Sequence, residues 1–150
     1  MSRTATYHTR VTWKGEHWGH IQMGNGPEME FSAPPDAHGH AGVLTPEDAF
    51  VAAVNTCVMM MFLWSVERFK LDLVSYECEA EGTKLIELDR TEIFTSVALR
   101  PRILLRAKEE ERSAIEKRAR RALESAQKYS LVANSVKSQI RVDPMIEILR

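Results

Sequence analysis

Cys57, Cys78 and Glu47 are the residues of this sequence whose types and settings point most directly to chemistry. A thiol acts as a nucleophile as its thiolate, which needs a nearby cation or helix N-terminus and a route for the substrate. Cys57 sits in the run Thr45-Pro46-Glu47-Asp48-Ala49-Phe50-Val51-Ala52-Ala53-Val54-Asn55-Thr56-Cys57-Val58-Met59-Met60-Met61-Phe62-Leu63-Trp64. Two readings of it stand side by side. It is either a small core hydrophobe, since free Cys is among the most buried residue types, or a peroxide-reducing or otherwise nucleophilic thiol. Glu47 precedes it by ten residues. That is about 15 Å along a continuous helix, so a contact needs a bent helix or a partner subunit. A carboxylate alone opposes the thiolate and helps only by orienting a cation. Cys78 falls in an alternating stretch and reads as core.

Other groups offer weaker chemistry. His38-Gly39-His40 with Asp36, and His17-x-x-His20, have ligand types for a divalent metal, but neither spacing is diagnostic. They read as a polar loop and a turn, and no metal or cofactor is expected. Lys117-Arg118-Ala119-Arg120-Arg121 shares its helix with Glu109 to Glu111 and Glu116, which makes it a solvated face and not a nucleic-acid site. Met59-Met60-Met61 with Phe62 and Trp64 reads as core filler that can also line an apolar pocket.

The elements that must position these residues follow from pattern. Thr45 is a helix cap, Pro46 suits the first helical position, and Glu47 and Asp48 suit the positive end of the dipole. From Ala49 to Trp64 only Asn55 and Thr56 are polar. A helix apolar on every side must be wrapped by protein, and the run is too short and interrupted for a membrane span. Before it, residues 5–13 alternate as a half-buried strand, residues 20–23 and 29–32 read as two more, and residues 33–44 form a loop long enough to be functional. After it come a strand with Val74, Tyr76, Cys78 and Ala80 on the core face and a connection from Gly82 to Arg90. A second strand follows, with Ile93, Thr95, Val97 and Leu99 on one side, closing an antiparallel hairpin. Residues 108–128 form an amphipathic helix with the stripe Ile115, Ala119, Ala122, Leu123 and Ala126. A last strand, residues 136–142, ends at Pro144. The layout is α+β, a single domain over residues 1–150 with one six-stranded sheet, and the surplus apolar surface of the central helix predicts a homodimer.

Bulk properties agree. Hydrophobic residues make up 44% and charged residues 27%, and the net charge is −1, which excludes the strongly basic character of nucleic-acid or membrane-surface binders. The first residues carry no apolar signal segment, so a cytoplasmic protein with reduced thiols is expected.

The helix run, Thr45-Pro46-Glu47-Asp48 followed by apolar-Ala-Ala and then Cys57, resembles the osmotically inducible protein C family, which includes the organic hydroperoxide resistance proteins. Trp13-Lys14-Gly15, the central hairpin, the charged helix and the closing strand are similar in order and spacing. The resemblance implies an intertwined homodimer with the central helices packed together and two thiol sites at the subunit interface. It also implies reduction of organic hydroperoxides, and of hydrogen peroxide, through a peroxidatic Cys, a resolving Cys and an Arg–Glu pair. Cys57 matches the peroxidatic Cys and Glu47 the Glu. Ser130 stands where the resolving Cys belongs, and Lys14-Gly15-Glu16-His17 replaces the segment carrying the Arg; Arg10, His17, His20 or a loop histidine are the available substitutes. The resemblance thus implies a thiol peroxidase that uses Cys57, Glu47 and an external thiol reductant, Cys78 being the remaining internal candidate for resolution. The alternative is a non-catalytic relative that binds a small apolar ligand between the central helices.

Overall fold

A computed structural model describes residues 1–150, which form two compact units, Met1–Phe50 and Val51–Arg150. In the first, β1 (Thr9–Trp13), β2 (Trp18–Met23) and β3 (Glu28–Ser32) make an antiparallel meander in that order. The Lys14-Gly15-Glu16 turn forms as expected, with Gly15 at φ 97° and Glu16 at φ 48°. The half-buried strand expected over residues 5–13 is shorter and is exposed at every position of β1, with Val11 and Trp13 uncovered. Residues 33–44 fold back on themselves around a 3-10 turn, Pro35–Ala37. An added Cβ at Gly39 would collide with the Ala33 carbonyl, so that loop requires glycine there. Ser32 and Leu44 close it through a backbone hydrogen bond of 2.9 Å.

The central helix, α1 (Pro46–Arg68), starts in the first unit and continues without a break into the second. Thr45 caps it as expected, its Oγ1 accepting from Asp48 N at 3.1 Å. Its end is built without glycine: Lys70 takes a left-handed φ of 54°, and Arg118 donates to the Phe69 carbonyl at 2.9 Å. Within the second unit, Val54, Val58, Phe62 and Ser65 form the buried stripe. The helix is not covered all round in the single chain, because Met60 is 50% and Trp64 68% exposed. By length and mean hydropathy alone the 23-residue α1 would pass for a membrane span, but its stripe Val54, Val58, Phe62 and Ser65 is buried within the protein.

The second unit's sheet is built on one long antiparallel hairpin, β4 (Asp72–Ile86) and β5 (Glu92–Arg106). The strand continues through Gly82, read from sequence as a connection, because Gly82 allows a close approach: a Cβ there would lie 2.7 Å from Val51 Cγ2. Two register shifts correct the alternation. One between Leu73 and Ser75 turns Val74 outward, and one at Thr83/Lys84 leaves Thr95 unpaired, so that Phe94 turns inward while Ile93 and Thr95 face out. Beyond the second shift, Val97, Leu99, Pro101, Ile103 and Leu105 are buried in strict alternation.

A 3-10 turn, Glu109–Glu111, leads into α2 (Arg112–Tyr129), whose buried residues are the expected five, Ile115, Ala119, Ala122, Leu123 and Ala126. A short helix, α3 (Leu131–Ser135), follows, then β6 (Gln139–Val142) and β7 (Met145–Leu149). Both pair with β5, and both run parallel to it. In place of the one six-stranded sheet expected there are two, a three-stranded antiparallel sheet and a four-stranded one in which β6 and β7 run parallel to β5. Pro144 ends β6 as expected, but the chain resumes on the same edge of β5, because Pro144 interrupts the ladder without turning the chain away.

Candidate thiol site

Cys57 lies on the border between the buried and the open sides of α1 and is half-buried. Met60 and Trp64, the exposed apolar residues of the helix, follow it at three and seven positions and so share its side. On the inner flank, Ser130 Oγ donates to Cys57 Sγ at 3.1 Å. These two residues are 73 apart in sequence and meet because Ser130 joins α2 to α3 in an extended conformation, φ −68° and ψ 117°. Ser130 is fully buried, and its oxygen also accepts from Ala133 N at 3.2 Å, capping α3.

Glu47 belongs to the first unit and Cys57 to the second. Glu47 lies in the first turn of α1, where its charge suits the helix dipole. Ser130, placed by resemblance at the position of the resolving thiol, does reach Cys57. The chemistry at that position is a hydroxyl's: it donates a hydrogen bond and forms no disulfide.

Cys78 belongs to a different environment. Asn55 Nδ2 donates to the Cys78 carbonyl at 3.1 Å. Asn55 and Cys57 are two residues apart, about 200° around the helix, so Cys78 sits against the far side of α1 from the Cys57 sulfur. The Tyr76 ring, two residues before it on the same face of β4, packs on Phe62 with centroids 5.4 Å apart. Burial pushes both the Cys78 thiol and the Tyr76 phenol above their ordinary pKa values; Cys78 raises Tyr76 further, whereas the Tyr76 hydrogen bond partly offsets the rise at Cys78. Cys78 is therefore a packed thiol, as its alternation implied. Asn55 was missed as a structural contact, although a lone amide inside an apolar helix was the signal for one.

The histidines are engaged one by one within the first unit. His17 Nδ1 lies 2.9 Å from the His38 carbonyl, and His40 stacks on Trp18 with centroids 4.1 Å apart and faces Glu16 at 3.5 Å. The ring nitrogens of His20 lie 2.7 Å from Glu30 and 3.1 Å from Glu28, and these carboxylates, Glu30 foremost, raise its pKa above 6.5. No three His, Cys, Asp or Glu side chains gather as a metal-binding set.

A long apolar helix lying along a sheet, with a thiol on the helix border and a second helix pair delivering a polar group to it, defines a class of α+β proteins. The family model for OsmC-like proteins matches residues 39–144, and the chain belongs to that family. An OsmC-like protein of unknown function from Vibrio cholerae has the same fold, with a TM-score of 0.80 at 22% identity over 95% of this chain and 100% of that one. An organic hydroperoxide resistance protein from Elizabethkingia anophelis matches with a TM-score of 0.73 at 20% identity, over 99% of this chain and 100% of that one. The corresponding figures for an organic hydroperoxide resistance protein of Bacillus subtilis are 0.59 and 15%, over 97% and 98%. At these identities the likeness shows the fold. No curated protein matches the sequence.

Proposed function

We propose that this protein is a thiol peroxidase for organic hydroperoxides, working through Cys57 with an external thiol as reductant. The observation that carries the reading is the hydrogen bond from Ser130 Oγ to Cys57 Sγ, on a helix whose exposed apolar side chains Met60 and Trp64 share the side of Cys57 by their spacing. The donor side suits a sulfur that gains negative charge, and the apolar side suits the organic group of the substrate. The Cys57 thiolate attacks one peroxide oxygen, the O–O bond breaks, and the departing alkoxide takes a proton to leave as the alcohol. Cys57 is left as a sulfenic acid. An incoming thiol displaces its oxygen as water and forms a mixed disulfide, and a second thiol releases Cys57 and leaves as the disulfide of the reductant.

We also infer that a second copy of this chain covers the open side of α1, because apolar side chains as large as Met60 and Trp64 form part of it. The thiol site then lies at a subunit interface. Glu47, ten residues before Cys57 in the sequence, acts there if the partner's helix brings it close. Light scattering on the purified protein tests this: a dimer supports it, and a monomer at micromolar concentration overturns it.

The test of the activity is mass analysis of the reduced protein after brief exposure to cumene hydroperoxide with a sulfenic-acid trap. Trapping at Cys57 that survives Cys78→Ser is the expected result. If Cys57 stays unmodified the peroxidase reading fails, and the second reading, a small apolar ligand bound beside Met60 and Trp64, takes its place; the hydroxyl at position 130, which resolves nothing, is the observation that favours it.

A further inference from the structure

Ser130 has no covalent part in the reaction above, yet it is the side chain hydrogen-bonded to the reacting sulfur. Its hydroxyl carries one proton, and the backbone of Ala133 donates into its oxygen at 3.2 Å. That proton is free to point at Cys57 Sγ, 3.1 Å away. Full burial of Ser130 keeps bulk water from competing for it. The residue ends α2 and begins α3, so its backbone is held from both sides. Cys78, the other thiol of the chain, lies beyond the opposite side of α1, where Asn55 binds its carbonyl.

We propose that Ser130 is a positioning residue for Cys57. Its hydroxyl, oriented by the Ala133 N–H, holds the sulfur for attack and leaves the oxidised residue as a sulfenic acid open to a small external thiol. The inference rests on the peroxidase reading and adds the reason why this chain works with one cysteine. A thiol at position 130 would close on Cys57 as a disulfide and consume the sulfenic acid internally. An oxygen at that position donates a hydrogen bond to the sulfur and is itself neither oxidised nor reduced. The sulfur therefore stays available for the mixed disulfide with the reductant, whose oxidation balances reduction of the peroxide.

Two peroxide-free measurements on the full chain test this. The first is the rate of Cys57 alkylation by iodoacetamide, read by peptide mass, with Cys78 in the same sample as reference. Ser130→Ala is expected to slow Cys57 about 10-fold, the loss of one charge-bearing hydrogen bond, while Cys78 is unchanged, and Ser130→Thr restores the rate by restoring the hydroxyl. The second is oxidation of Ser130→Cys by diamide, which is expected to join Cys57 to the introduced thiol with loss of two hydrogens. An unchanged Cys57 rate in folded Ser130→Ala, a rate that folded Ser130→Thr fails to restore, or two free thiols in diamide-treated Ser130→Cys overturns the proposal. Cumene hydroperoxide is used in neither, so a wild-type Cys57 inert to it overturns the peroxidase reading separately.

Discussion

The two cysteines of this chain are both half-buried, yet they stand on opposite sides of one helix and are built for different ends. Cys57 is part of α1, meets a single buried hydroxyl, and shares its side of the helix with exposed apolar residues. Cys78 is part of β4, shares its face with Tyr76, whose ring packs on Phe62 of α1, and is tied to the helix through its own backbone carbonyl. Fractional exposure does not separate them. What separates them is what lies next to the sulfur: the Ser130 hydroxyl in one case, burial that raises the pKa in the other. A thiol's role is set by its neighbours more than by its depth.

The largest effect expected from that contrast is loss of all peroxide consumption in Cys57→Ser, with Cys78→Ser retaining it, measured as cumene hydroperoxide remaining after incubation with excess dithiothreitol. Equal loss in both variants would erase the distinction. Next in size, Phe62→Ala removes a fully buried ring that packs on Tyr76, and should cost about 3–5 kcal/mol in urea unfolding while speeding alkylation of Cys78. A speed-up at Cys57 instead would mean that the two sides of α1 are not separate environments.

A smaller effect, about 1 kcal/mol, is expected for Asn55→Ala, which removes the hydrogen bond to the Cys78 carbonyl and leaves Cys57 alkylation unaltered. The last test uses pH. Burial first, with the neighbouring Glu79 charge adding to it, raises the Cys78 thiol above 9.0, so the folded state favours its neutral form. Alkylation of Cys78 should keep rising past pH 9, and the stability that this thiol contributes, complete below the unfolded value, should fall as pH climbs toward the folded one. A Cys78 alkylation profile already flat at pH 9 would contradict the packed setting described for it.

Much of this contrast was legible in the sequence, and the limits are instructive. Thr45-Pro46-Glu47 marked the start of α1 because capping is local chemistry, and the five-residue stripe of α2 was readable because its neighbours are charged and its period is unbroken. The strand faces near Val74 and Ile93 were misread because a register shift is a property of two strands and leaves no mark in either alone. The strand β7 was missed because Pro144 looks like an end, whereas pairing with β5 continues on its far side. At the site, the position of Ser130 came from resemblance. Its contact with Cys57 had no local signal, since it joins residues 73 apart and depends on how α2 and α3 meet.

The short helix α3 gives the site a further property. Five residues with no buried side chain cannot sustain a helix on their own, and the Ser130 cap that starts α3 is the same group that touches the sulfur. Opening of this one turn is expected to cost less than global unfolding, and faster exchange of its amides than of those in α2 is the outcome that checks it. Each such opening frees the Ser130 hydroxyl from Ala133 and loosens its hold on Cys57. The amide of Ala133 is thus a reporter: its hydrogen exchange counts how often the sulfur is released while the rest of the fold stays closed.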